Sequence, residues 1–138
     1  MRFWDSSAIV PLLLEQPSSA RARALLEEDP DIVAWWGTSV ECASAVARLR
    51  RDGYLDASEE AASLRMLERL RTGWYEVVPG EPVRALALRI LRLHPLRSAD
   101  ALQLAAALEW SGMPANGVVV TFDERLARSA ELEGFQLA

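Results

Sequence analysis

"MRFWDSSAIVPLLLEQP" (residues 1–17) decides the fold of this chain, and its fifth residue carries the decision. Apolar Phe3 and Trp4 read as the end of a buried strand, Asp5 follows at once, and Ser6, Ser7 and the apolar run from Ala8 to Leu14 read as a helix. A strand that passes directly into a helix opens an α/β unit. The carboxylate at that junction is then either a helix cap or a group placed at a strand's carboxyl end for chemistry.

The same alternation continues to the end of the chain. The first helix, Ser7 to Glu15, stops before Pro17; Ser18 or Ser19 can cap a second that runs to about Glu28, and "DPDIVAWW" (29–36) gives a turn and a strand over Ile32 to Trp36. Gly37 and Thr38 break that strand, after which Val40, Ala43, Val46, Ala47 and Leu49 repeat at helical spacing until Asp52 and Gly53. A fourth helix is expected over Ala57 to Arg71, a strand in "WYEVVP" (74–79), a fifth helix over Pro82 to Leu93 and a sixth from Ser98 to just before Gly112. "GVVVTFD" (117–123) supplies the fourth strand, Glu124 to Glu133 the last helix, and Phe135 to Leu137 a closing strand. The pattern predicts one domain over residues 1–138: a central parallel sheet of four to five short strands, covered on both faces by about seven helices.

Composition restricts what such a domain can do. With 138 residues, 51% of them hydrophobic, the chain can bury a core of its own. The run from Ala8 to Leu14 is far short of the roughly 18–20 residues of a membrane span, and no basic segment with a cleavage site precedes it, so a soluble, cytoplasmic protein is expected. Cys42 is the only cysteine and His94 the only histidine, which leaves little material for thiol–imidazole catalysis; Cys42 reads as a small core residue and His94, before Pro95, as a helix end. The net charge of −5 argues against general coating of nucleic acid, so any such role must be local. Trp35 and Trp36 admit a base-stacking reading, but neighbours on a central strand alternate faces and the core reading is favoured for both.

Four acids stand apart from the rest. Asp5 ends the first strand, Glu41 falls in the first turn of the helix after the second, Asp100 in the first turn of the sixth helix, and Asp123 just past the fourth strand. In a parallel sheet, ligands bind outside the carboxyl ends of the strands, where these positions meet. Each acid also has a structural reading. Thr38 to Glu41 has the spacing of a capping box, Ser98 can cap the helix that carries Asp100, and Asp5 and Asp123 can cap the helices they precede. An acid near a helix N-terminus is favourable by about 0.3–1 kcal/mol. Four carboxylates drawn to one edge nevertheless repel one another unless a cation or a shared proton relieves them. Oxygen ligands completed by water suit Mg²⁺, or Mn²⁺ in its place, and no Cys/His spacing of a zinc site is present. Arg97 and Arg125, close in sequence to Asp100 and Asp123, are candidate contacts for any such local nucleic-acid role, whereas Arg48, Arg50 and Arg51 read as a solvated helix end.

These segments resemble the PIN-domain ribonucleases, and among them the VapC-type toxins of bacterial toxin–antitoxin pairs. "FWDSSAIVPLLLEQ" (3–16) is similar to the family's opening strand and first acid, "TSVECASAVAR" (38–48) to its helix glutamate, "RSADALQLAAAL" (97–108) to its most recognisable segment and "VVVTFDERLARSA" (118–130) to its closing acid motif. The resemblance spans nearly the whole chain in the right order. It implies a metal-dependent endoribonuclease acting on single-stranded or loop RNA. It places the catalytic, metal-binding acids at Asp5, Glu41, Asp100 and Asp123, with Ser7 and Thr121 as supporting polar groups and the part of Glu124 open. It also implies a homodimer and a small antitoxin partner whose C-terminal segment covers the acidic groove.

Rivals from other classes are weaker. A phosphoacceptor receiver domain clusters acids at strand ends but relies on a lysine, and all 15 basic residues here are arginine. A catalytically silent PIN-like binding module would be expected to have lost acids, and all four positions are filled. A PIN nuclease devoted to RNA processing, without an antitoxin, is the alternative within the enzyme class.

Overall fold

The computed structural model describes residues 1–138. Five short strands, β1 (Arg2–Trp4), β2 (Ile32–Trp35), β3 (Tyr75–Val77), β4 (Val118–Val120) and β5 (Gln136–Leu137), form one sheet in the order β3-β2-β1-β4-β5, with every pairing parallel. Seven helices connect them: α1 (Ser6–Leu13), α2 (Ser19–Glu28), α3 (Thr38–Arg51), α4 (Ala57–Arg71), α5 (Glu81–Leu93), α6 (Ser98–Ser111) and α7 (Glu124–Leu132). The α/β sheet expected from the alternation is therefore present, with its helix count.

The period of two along each strand divides the core. Phe3, Val33, Trp35, Val77 and Val119 face one side, where α5, α6 and α7 cover them with Ile90, Leu104, Leu108 and Leu126. Trp4, Ile32, Ala34 and Val120 face the other, against Ile9 of α1, Ala22 of α2, Val46 of α3 and Leu67 of α4. Both sides of the sheet are thus dry, which is the condition under which an all-parallel sheet is stable. No helix is long and apolar enough to cross a membrane.

Several local expectations need correction. β2 ends at Trp35, so Trp36 leaves the strand and stands half-exposed; only Trp35 is core. The N-cap of α3 is Gly37, not Thr38, and the capping box expected over Thr38 to Glu41 does not form. Glycine is required at this cap because a Cβ there would lie 2.5 Å from the Trp35 indole nitrogen. Likewise Arg97 takes the cap position of α6 without a side-chain bond, and Ser98 begins the helix. Ser18 precedes α2 without capping it, while the Ser19 hydroxyl donates back to the Pro11 carbonyl at 2.7 Å. The core and helix-end readings of Cys42 and His94 hold: Cys42 is fully buried, and His94 closes α5, with Nε2 2.7 Å from a Glu133 carboxylate oxygen.

Candidate active site

β1 runs at the centre of the sheet, with β2 on one side and β4 on the other, so the chain changes direction of travel between β1 and β4. Such a switch point opens a crevice at the strands' carboxyl ends. Asp5 lies at its base, with its N–H donating to the Val120 carbonyl at 3.0 Å. The acid is 3% exposed, and its Oδ2 is fully engaged: it accepts from the Ser7 N–H, the Ser7 hydroxyl and, at 2.9 Å, the Thr121 hydroxyl. Asp5 therefore does cap α1, but with one oxygen only. Oδ1 shares a single hydroxyl, that of Ser6 at 3.3 Å, and keeps acceptor capacity to spare.

Ser6 joins Asp5 to the second acid, its hydroxyl donating to Glu41 Oε2 at 2.9 Å. Glu41 Oε1 accepts from Nε2 of Gln103 at 3.2 Å. The side chain that was a candidate cap residue is thus turned inward, toward α1 and α6. Asp123 does cap α7, its Oδ1 accepting from the N–H groups of Arg125 and Leu126, both at 2.8 Å. Thr121 holds the approach to that cap, donating to Asp5 and accepting from the Asp123 N–H at 3.1 Å. Asp100 and Asp123 line one cleft of about 610 Å³ together with Glu124, Arg48, Arg97 and Arg125. A second cleft, of about 690 Å³, is lined by Ser6, Ser7, Glu41 and Phe122 and shares Arg48 with the first.

The electrostatics tie the four acids into a chain. Burial pushes Asp5 above its ordinary value against the restraining bonds of Ser7 and Thr121. Burial likewise raises Glu41, and the charges of Asp5 and Asp100 raise it further. Asp100 is raised by burial and by Asp123, with partial relief from Arg97 and Arg125. Cys42 beside them is pushed upward too, mainly by burial, and is no nucleophile.

The structure brings Asp5 and Glu41 together through Ser6, and Asp100 together with Asp123 in the adjoining cleft. No three acidic, histidine or cysteine side chains stand close enough to cage an ion by themselves. That arrangement does not suit Zn²⁺ or Ca²⁺, which take most of their ligands from protein. It does fit Mg²⁺, which keeps several waters and is held through one or two carboxylates. Repelling acids with acceptor capacity to spare, on Asp5 Oδ1 and on the Asp123 oxygen that does not cap α7, supply such donors. Three participants escaped the sequence reading. Nothing in the local pattern singles out Ser6 or Gln103, and Arg48, an exposed residue in the last turn of α3, also lies seven residues from Glu41 on one helix face.

These shifts fix a sign for stability. Each raised acid keeps its proton to a higher pH when folded than when unfolded, so above the ordinary carboxylate value unfolding releases protons and stability falls as pH rises. Cation-free protein is accordingly expected to melt at a lower temperature at about pH 7 than at about pH 5, with added Mg²⁺ flattening the difference. A melting temperature that climbs over that range in EDTA would show that the acids are relieved without a cation.

An all-parallel α/β sheet with acidic residues gathered about its switch point defines the architectural class. Within it the chain belongs to the PIN domain family, whose model matches residues 2–132. Ribonuclease VapC45 of Mycobacterium tuberculosis (strain CDC 1551 / Oshkosh) is 32% identical over 136 residues, covering 99% of this chain and 93% of the relative. Among solved structures, VapC20 of Mycobacterium tuberculosis, described as a sarcin-ricin loop cleaving toxin, superposes with a TM-score of 0.70 at 18% identity, covering 98% of this chain and 96% of that one. FitAcB of Neisseria gonorrhoeae superposes at 0.69 with 22% identity, covering 99% and 96%. The two structural likenesses establish the fold.

Proposed function

We propose that this chain, acting as a single nuclease domain, is a Mg²⁺-dependent endoribonuclease and the toxin of a toxin–antitoxin pair. The observation that carries the reading is the chain of mutually repelling carboxylates at the switch point, in a family whose 32%-identical relative is a ribonuclease. Asp5, Glu41, Asp100 and Asp123 would hold the cation, Mg²⁺ or Mn²⁺ in its place, which supplies Lewis acidity toward water and the phosphorus oxygens.

The chain's own groups do the rest. Ser7 and Thr121 occupy Asp5 Oδ2 and so leave Oδ1 with the Ser6 hydroxyl alone, while Ser6 also bonds Glu41 and so sets the spacing between the two acids. Arg48, Arg97 and Arg125 line the outer cleft and form no ion pair with any carboxylate, which leaves their guanidinium groups free for phosphate. A protein of net charge −5 thereby acquires a local anchor for RNA. An unpaired strand, with a pliable backbone, is the form of RNA that enters such a cleft. Glu124, on the same cleft, is positioned to tune it. Half-exposed Trp36 is available for base stacking, beyond the groove.

The partner reading follows from the same charge. An arginine on a small antitoxin's C-terminal segment would find the Asp100, Asp123 and Glu124 carboxylates of the outer cleft to pair with. A homodimer in the cytoplasm completes the proposal, supported by the exposed Leu88 and Leu91, one turn apart on α5. An RNA-processing nuclease without an antitoxin remains the second reading of the same site.

Cleavage of a single-stranded RNA by rigorously purified protein is expected to stop in excess EDTA and to return on addition of Mg²⁺ or Mn²⁺. Cleavage that continues undiminished in the chelator would contradict the proposal, since no other residue of the site is equipped to activate water.

A further inference from the structure

Gln103 is the one polar side chain in the buried surface of α6, among Ala101, Leu104, Ala105, Ala106, Ala107 and Leu108, and it is itself fully buried. An amide in such surroundings is tolerated only when its donors and acceptor are used. All of them are. Nε2 donates to Thr38 Oγ1 at 3.0 Å and to Glu41 Oε1 at 3.2 Å, and the Thr38 hydroxyl donates to Oε1 at 3.2 Å. Thr38 alone could engage both ends of the amide and would suffice for a core role. The second N–H goes instead to the Glu41 carboxylate.

The amide cannot reverse without cost. With its carbonyl toward Glu41, two acceptor oxygens would face each other across a part-buried contact, so the Glu41 carboxyl oxygen selects the observed orientation. Gln103 also follows Asp100 by three residues, which puts the two on one face of α6. Through this amide, the helix that carries Asp100 grips the helix that carries Glu41.

We infer that Gln103 is a positioning residue: its side-chain amide, braced by Thr38, fixes the Glu41 carboxylate at a set distance from Asp100 and so prepares the site for a divalent cation. The inference rests on the proposed function. It concerns the geometry of Glu41, not contact with substrate.

Gln103→Met keeps the length and apolar packing of the side chain and removes both amide functions. Mn²⁺ binding, followed by electron paramagnetic resonance without RNA, is expected to weaken by about tenfold, the lower end of what loss of such a supporting bond produces. In cleavage assays kcat should fall by a similar factor while KM for RNA stays within about twofold, a split that a merely structural residue would not produce. Should the methionine variant fail to fold, Thr38→Val removes the bracing hydroxyl at nearly constant shape and is expected to weaken Mn²⁺ in the same direction. A folded Gln103→Met protein with wild-type Mn²⁺ affinity and kcat overturns the inference while leaving the proposed function standing. Wild-type protein that takes up no Mn²⁺ overturns both.

Discussion

Asp5→Asn is expected to abolish RNA cleavage without costing the fold. Asparagine retains one oxygen to accept from Ser7 and Thr121 in place of Oδ2, and its amino group can donate to Ser6 in place of Oδ1, so the cap of α1 survives. What disappears is the charge. Because burial already works against that charge, the variant should melt at or above the wild-type temperature at neutral pH in cation-free buffer. Cleavage should fall on the order of 10²–10⁴-fold, the range associated with losing a group that moves protons or stabilises transition-state charge. Paired measurements of melting temperature and single-turnover rate decide it. A variant that is both stable and active would move the chemistry away from the switch point.

Growth provides the second large effect. Expression of the wild-type chain alone in a bacterial host should arrest growth, because uncontrolled hydrolysis of a cellular RNA is not repaired by the enzyme that causes it. Asp100→Asn should grow as the empty vector does, since Asp100 meets Asp123 across the outer cleft and its charge is what a cation there would engage. Co-expression of a small partner encoded immediately upstream should restore growth to the wild type. Harmless expression at high level in the native host, with any upstream partner deleted, would remove the toxin role and favour the RNA-processing reading.

Much of this architecture was legible because both signals involved are local. The alternation of short apolar runs with helical spacing encodes a sheet buried on both faces, and the structure reproduces its seven helices and five strands. Asp5 and Asp123 were legible as caps for the same reason, each lying next to the N–H groups it accepts. Glu41 shows where local reasoning fails. The spacing from Thr38 satisfies a capping box, yet the Trp35 indole packs where only glycine can stand, the cap shifts to Gly37, and Glu41 is left to bond with Ser6, 35 residues away, and Gln103, 62 residues away. Such partners are set by how α1, α3 and α6 pack, which no short window contains. Arg48 is the solvated end of α3 that its position implies, but its place between two clefts depends on α3 meeting the β4–α7 junction. Trp36 fell outside the core because β2 stops one residue earlier than its apolar run.

The central claim is that Asp5, Glu41, Asp100 and Asp123 act together as one divalent-cation site, although no three of them close on an ion unaided. Crystals of the protein grown or soaked with Mn²⁺ test this directly by anomalous scattering. The account predicts a peak in the crevice between β1 and β4 within about 2–2.5 Å of at least one of these carboxylates, with water in the remaining positions, and its loss in Asp5→Asn. A fully occupied Mn²⁺ bound elsewhere, with this crevice empty at millimolar ion, would contradict it.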